Sequence, residues 1–75
     1  MDQEILNLLQ DILPDIDFTA SEELVDDGIL DSLSIVTIVG ELSIEYNIEL
    51  PYEEIIPQNF NSVGAIASLV ERYRK

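Results

Sequence analysis

The chain has 75 residues, and its hydrophobic fraction of 47% is too high for a disordered acidic tail. Sixteen acidic and three basic residues give a formal net charge of −13, which disfavours binding to nucleic acid and to anionic membranes. Histidine and cysteine are absent, which removes the usual general base, disulfides and the commonest metal ligands. We therefore predict a folded, non-catalytic monomer without a metal site, whose partners are proteins.

The sequence also predicts the cellular location of the protein and the distribution of its charge. No apolar run approaches the roughly 18 residues of a membrane span, and the acidic start MDQEILNLLQDIL lacks the positive charge of a signal peptide. We expect a cytoplasmic protein with no membrane insertion and a single domain over residues 1–75. Arg72, Arg74 and Lys75 are the only basic residues. Because nothing positive offsets the carboxylates before them, the chain should be attracted to basic protein surfaces.

The first predicted element is an amphipathic helix that follows Asp2, a candidate N-cap, and stops at Pro14. A long connection then runs to Asp31. We expect it to pack onto the core, with a short turn at residues 21–24, because it is too apolar to remain in solvent and long loops inside a compact domain are usually functional. The apolar side chains that support this packing are Ile16, Phe18, Leu24, Val25, Ile29 and Leu30.

The second predicted helix runs from Ser32 to Tyr46. Asp31 is its expected N-cap, and Asn47, which tolerates the left-handed conformation, marks its end.

Two prolines and a serine define the rest of the chain. Pro51 and Pro57 can each open a single helical turn, and Ser62 caps the last helix. The inward residues of that helix are Val63, Ile66, Leu69, Val70 and Tyr73. The basic residues at its end complement the helix dipole. No strand pattern is present, so the predicted fold is an all-α bundle of three main helices plus a short one, with a long loop between helices one and two.

The second helix has two apolar faces. At about 100° per residue, its inner face comprises Ile35, Ile38, Val39, Leu42 and Tyr46. The opposite side, which we call the outer face, comprises Leu33, Val36 and Ile44, with Thr37 and Gly40 between them and Glu41 at the rim. One small core cannot bury both faces, so either the long loop covers the outer face or a partner binds it. Gly40 either permits close approach of a partner backbone or is a tolerated glycine.

Ser32 has two interpretations as well. Serine is a common N-cap, so Ser32 could cap the helix itself. If Asp31 is the cap instead, the Ser32 hydroxyl is exposed on the first turn, where the helix N-terminus favours an attached anion such as a phosphate ester.

The stretch GILDSLSIV resembles the attachment motif of acyl carrier proteins, a G-x-D-S-[LI] turn at the start of their second helix. The resemblance extends over almost the whole chain, through Glu41, Glu45, the proline after IEL and the final SVGAIASLV. It implies that a phosphopantetheinyl transferase attaches 4'-phosphopantetheine from coenzyme A to Ser32, between Asp31 and Leu33. The thiol of this cofactor would carry acyl groups as thioesters.

The resemblance also implies the partner surface and the range of cargoes. Its partner-binding residues would be Leu33, Val36, Thr37, Gly40, Glu41 and Ile44, which are those of the outer face. The expected partners are synthases, transferases or adenylating ligases with basic patches, in fatty acid or secondary metabolite biosynthesis. The segment from Pro51 to Val63 is similar in length to that of D-alanyl carrier proteins, so a D-alanyl or other aminoacyl carrier is an alternative. In another class, an acidic inhibitor or nucleic-acid mimic would need no modification.

Overall fold

The computed structural model describes residues 2–74, which form helices and loops and contain no strand. Lys75, one of the basic residues expected to complement the last helix dipole, lies outside the described residues. The elements are α1 (Asp2–Ile12), α2 (Ser32–Tyr46), a 3₁₀ turn (Tyr52–Glu54), α3 (Pro57–Phe60) and α4 (Val63–Tyr73). The predicted all-α arrangement of three main helices plus a short one, with a long loop after the first, is therefore confirmed.

A single hydrophobic cluster joins these elements. Helix α1 packs against both α2 and α4, while α3 packs against α4. The buried side chains are Ile5, Leu9, Phe18, Leu24, Leu30, Ile38, Leu42, Ile48, Phe60, Ile66, Ala67, Leu69 and Val70. Full burial of each large side chain contributes about 1.5–3 kcal/mol, so the loop residues in this set hold the long connection against the helices. The prediction that this connection packs onto the core is confirmed.

Two local predictions are wrong. Helix α1 begins at Asp2, so Asp2 belongs to the first turn and is not the residue that precedes it. The turn expected at residues 21–24 lies at residues 24–28 instead, where the Asp27 N–H donates to the Glu23 carbonyl over 2.7 Å. Residues 21–23 instead form a side-chain turn, in which the Ser21 hydroxyl accepts a 2.8 Å hydrogen bond from the Glu23 N–H, and the backbone turn that follows ends at Gly28 with a φ of 80°.

The predicted ends of the later helices are confirmed. Asn47 ends α2 in the left-handed region, with a φ of 53° and its N–H donated to the Ser43 carbonyl. Pro51 precedes the 3₁₀ turn and Pro57 is the first residue of α3. Ser62 caps α4, since its hydroxyl accepts a 3.0 Å hydrogen bond from the Ala65 N–H.

The last turn of α4 is bound to the 3₁₀ turn through Glu54. The Glu54 carboxylate accepts hydrogen bonds from the Tyr73 hydroxyl at 2.6 Å, the Asn59 amide at 3.0 Å and Arg72 at 3.2 Å. These contacts, the Tyr73 hydrogen bond first, hold the pKa of Glu54 below its ordinary value, and the same bond raises the pKa of Tyr73. Arg72 therefore binds a carboxylate in addition to its place near the helix dipole.

Candidate functional site

The start of α2 is organised by Asp31. Its backbone is extended, its carboxylate accepts a 2.8 Å hydrogen bond from the Ser34 N–H, and its carbonyl accepts one of 3.0 Å from the Ile35 N–H. The Ser34 backbone N–H and then the Ser34 side chain hold the pKa of Asp31 below its ordinary value. Asp31 is thus the N-cap of α2, as its residue type predicts.

Because Asp31 provides the cap, Ser32 is the first residue within the helix and is exposed. Its position differs from that of Ser62, whose hydroxyl is used to cap α4. Between the two interpretations of Ser32, the geometry supports a side chain on the first turn that is accessible for modification. The peptide N–H groups around it favour an anion at this point.

The outer face of α2 is accessible to solvent. Leu33, Val36 and Ile44 are 75%, 65% and 79% exposed, and the long loop does not cover them. Gly40 is exposed, while Thr37 and Glu41 are half-buried. The inner face behaves as predicted, since Ile38 and Leu42 are buried and Ile35, Val39 and Tyr46 pack against the core. An exposed apolar face on a small domain is typical of a protein interaction site.

A cleft of about 590 Å³ opens beside Ser32, between α2, the end of the long loop and the segment that leads into α3. It is lined by Val25, Leu30, Asp31, Ser32, Ile35, Val36, Tyr52, Ile55, Ile56 and Pro57. The lining is mostly apolar apart from its edge at Asp31 and Ser32. A cleft of this volume lies within the usual size range of small-molecule sites.

Two residues of this cleft were not predicted as functional. Tyr52 is 85% exposed and Ile56 is 41% exposed, so the apolar surface continues from Val36 across the mouth of the cleft. The signal in the sequence was the pair Ile55–Ile56 between two prolines. Adjacent residues in so short a segment cannot both point to the core, and Ile55 is the one that packs against it.

Asn61 is a further residue that the sequence did not single out. Its side-chain oxygen accepts hydrogen bonds from the N–H groups of Val25 at 2.9 Å and Asp26 at 3.1 Å. Its side-chain amide donates to the Asp26 carboxylate over 3.1 Å, and its carbonyl accepts from the Leu24 N–H over 2.7 Å. Asn61 thus joins the long loop to the junction of α3 and α4.

Two further properties concern residues 2–74 as a group. No three or more of their acidic side chains are placed close enough to bind a metal ion together. None of the helices in this range combines the length and the apolar character that crossing a bilayer requires.

These features define a class: a small helical protein with an accessible serine at a helix start and an apolar face beside it. The family described as "Phosphopantetheine attachment site" matches residues 3–70. The chain therefore belongs to the phosphopantetheine-binding carrier protein family, and its cofactor is covalently attached 4'-phosphopantetheine.

Curated relatives of this chain include carrier proteins of a more specific kind. The chain is 31% identical over 67 residues to the D-alanyl carrier protein of Streptococcus suis (strain 05ZYH33), a match that covers 88% of this chain and 85% of the relative. It is 36% identical over 59 residues to the D-alanyl carrier protein of Streptococcus pyogenes serotype M5 (strain Manfredo), with 79% and 75% covered. No solved structure gives a significant match.

Proposed function

We propose that this carrier protein holds its cargo as a thioester on 4'-phosphopantetheine attached to the hydroxyl of Ser32. The observation that carries the proposal is the division of roles at the start of α2. Asp31 satisfies the Ser34 N–H, and the exposed Ser32 beside it keeps its hydroxyl for the ester. We treat residues 1–75 as one carrier domain.

The residues around Ser32 fit this cofactor. The N–H groups of the first turn of α2 favour the negative charge of a phosphodiester, which partly offsets repulsion from the Asp31 carboxylate. The apolar cleft that begins at Ser32 offers a surface for the uncharged part of the arm, and the exposed side chain of Leu33 follows the attachment point in the helix. The cofactor supplies the thiol for thioester formation, which this chain cannot supply because it contains no cysteine.

We propose that the outer face of α2 is the surface that partner enzymes contact. Its exposed apolar side chains would be buried on docking, while the net charge of −13 would steer the carrier toward basic patches. The expected partners are a phosphopantetheinyl transferase and the enzymes that load and use the cargo. The partner-binding residues are Leu33, Val36, Thr37, Gly40, Glu41 and Ile44.

For the cargo, we propose D-alanine or another small amino acid loaded by an adenylating ligase. Support comes from the curated relatives, which are D-alanyl carrier proteins and are matched over most of their length. In this proposal the carrier is a non-catalytic substrate of other enzymes and acts as a monomer. A cytoplasmic location and a role in fatty acid or secondary metabolite synthesis stay predictions from the sequence.

Intact-mass measurement tests the proposal. We expect the chain to gain the mass of one phosphopantetheine after incubation with coenzyme A and a broad-specificity transferase. Ser32→Ala should show no gain, whereas the control Ser34→Ala, two residues along the same turn, should be modified. An equal gain in Ser32→Ala would refute the site. An inhibitor or nucleic-acid mimic would instead act without any modification.

A second measurement tests the cargo. The modified carrier should gain the mass of one alanine residue when ATP, D-alanine and a D-alanine-adenylating ligase are added, and hydroxylamine should remove it as it does other thioesters. Loading by an acyl-transferring synthase, without loading by the ligase, would overturn the aminoacyl assignment but leave the carrier function intact.

A further inference from the structure

The contacts of Asn61 link a distant part of the chain to the start of α2. The side chain accepts two backbone hydrogen bonds, from Val25 and Asp26, and donates one to the Asp26 carboxylate. The orientation of the amide is fixed by its partners, because backbone N–H groups can only donate and an ionised carboxylate can only accept. Asn61 therefore uses both ends of its side chain on the same loop segment.

The segment that Asn61 holds leads directly to the modified helix. The Leu24 N–H donates to the Asn61 carbonyl over 2.7 Å, and the Leu24 carbonyl accepts from the Leu30 N–H over 2.9 Å. Leu30 immediately precedes Asp31, the N-cap, and both Leu24 and Leu30 are buried. A continuous path of hydrogen bonds thus runs from Asn61 through the loop to the residue before the cap.

The same segment forms one wall of the cleft beside Ser32. Val25 lines this cleft together with Leu30, Asp31 and Ser32, and Val25 is the residue whose N–H is bound by Asn61. Without the Asn61 side chain, the N–H groups of Val25 and Asp26 would have to bond to water. The cleft wall and the cap would then adopt other arrangements for part of the time, in addition to the native one.

We infer that Asn61 is a positioning residue for phosphopantetheine transfer, because it holds the loop that presents Ser32 to the transferase. The inference rests on the proposed function of Ser32. In that transfer the Ser32 oxygen forms a bond to the phosphorus of coenzyme A that bears the pantetheine. The bond from that phosphorus to the adenosine bisphosphate breaks, and the serine proton leaves. Asn61 takes no part in these bonds and acts only through the loop.

Transfer kinetics on the full chain test this role. If Asn61→Ala leaves the native loop arrangement only about a tenth populated, the KM of the carrier should rise about tenfold while kcat at saturation stays unchanged. Ser62→Ala is the matched control. It removes the neighbouring cap of α4 and destabilises the fold, but the Ser62 hydroxyl accepts its hydrogen bond from Ala65 within α4 and not from the loop, so its KM should equal that of the wild type.

A reciprocal exchange identifies the hydrogen bonds responsible. Asn61→Asp keeps the acceptor for the two backbone N–H groups but places a carboxylate against Asp26, so KM should rise. Asp26→Asn keeps an acceptor for the Asn61 amide and should resemble the wild type. The double variant Asn61→Asp with Asp26→Asn reverses donor and acceptor, and should recover the wild-type KM.

Amide hydrogen exchange gives a readout independent of transfer. Asn61→Ala should lose protection at the amides of Val25 and Asp26, whose acceptor is the Asn61 side chain, while the amides within α4 stay protected. Local loss of protection with a wild-type KM would overturn the inference, as would an equal rise of KM in Ser62→Ala. Absence of transfer to the wild-type chain would contradict the proposed function itself, and with it this role.

Discussion

Helices α2 and α4 both begin with a side-chain oxygen that accepts a hydrogen bond from the N–H three residues along, but they use serine differently. In α4 the cap is Ser62 itself, whose hydroxyl is bound to the Ala65 N–H. In α2 the cap is Asp31, and Ser32 follows it on the first turn. The comparison indicates that Ser32 is not used as a cap because Asp31 accepts the hydrogen bond that Ser62 accepts in α4.

The two helices also differ in how much apolar surface they expose. Helix α4 directs its large apolar side chains to the core and exposes residues such as Ser68 and Glu71. Helix α2 buries Ile38 and Leu42 but leaves Leu33, Val36 and Ile44 in solvent. Exposed apolar area does not stabilise a monomer, so its presence on α2 and not on α4 supports the proposed role of the outer face in binding partners.

The largest expected effect separates the two faces of α2. Leu42→Asp places an unpaired charge in the core at a cost of several kcal/mol. A 75-residue domain has a free energy of unfolding of roughly 4–11 kcal/mol, so we expect this variant to lose its helical circular dichroism.

Val36→Asp is the matched control on the outer face. It introduces the same charge into the same helix at an exposed position, so the helical circular dichroism and the melting temperature should change little. The KM for the transferase should rise, because the proposed contact surface becomes charged. Unfolding of Val36→Asp would show that the outer face contributes to the core.

The next largest expected effect is the difference between substitutions at the two serines, Ser62 and Ser32. Ser62→Ala removes the α4 cap and should lower the free energy of unfolding by about 1 kcal/mol, while phosphopantetheine attachment still occurs. Ser32→Ala should abolish attachment and leave the melting temperature within a degree or so of the wild type. Thermal unfolding and intact mass, measured on both variants, test the pair. A large loss of stability in Ser32→Ala would mean that its hydroxyl supports the helix.

Much of this site could be predicted from the sequence, because its strongest determinants are local. The cap at Asp31, the end at Asn47 and the two faces of α2 follow from residue type and helical spacing. The role of Asn61 could not be predicted in this way, since its partners Val25 and Asp26 are about 35 residues away and only the tertiary fold brings them together. The exposure of Tyr52 and Ile56 also depends on how a short segment packs.

Substitution of the glycine on the outer face of α2 should have a smaller effect on stability. A Cβ added at Gly40 meets no atom within 4 Å, so Gly40→Ala should raise the free energy of unfolding by about 0.5–1 kcal/mol through helix propensity. Gly28→Ala is the control, since its Cβ also meets open space but its φ of 80° disfavours alanine. It should be destabilised. A raised transferase KM in Gly40→Ala would indicate close backbone approach by the partner, whereas an unchanged KM would mean that Gly40 is merely tolerated.

The smallest expected effect on stability arises at the C-terminal ends of α2 and α4, which are held by different contacts. Helix α2 ends at Asn47 in the left-handed region, whereas the last turn of α4 is bound to Glu54 through Tyr73 and Arg72. Because the pKa of Glu54 is lowered by folding, its contribution is complete above the ordinary value of 4.5 and is lost as pH falls through the lower folded value. Because the pKa of Tyr73 is raised, its contribution is complete below the ordinary value of 10.0 and is lost as pH rises through the higher folded value.

Tyr73→Phe removes the hydrogen bond that is the first cause of both pKa shifts. Its melting temperature should be slightly lower than that of the wild type between about pH 4.5 and 10, and the difference should narrow in acid and in alkali. Tyr52→Phe, which changes an exposed tyrosine, should match the wild type throughout. A difference for Tyr73→Phe that stays constant from acid to alkali would mean that the hydroxyl acts on α4 through packing and not through Glu54, since packing carries no proton and therefore no dependence on pH.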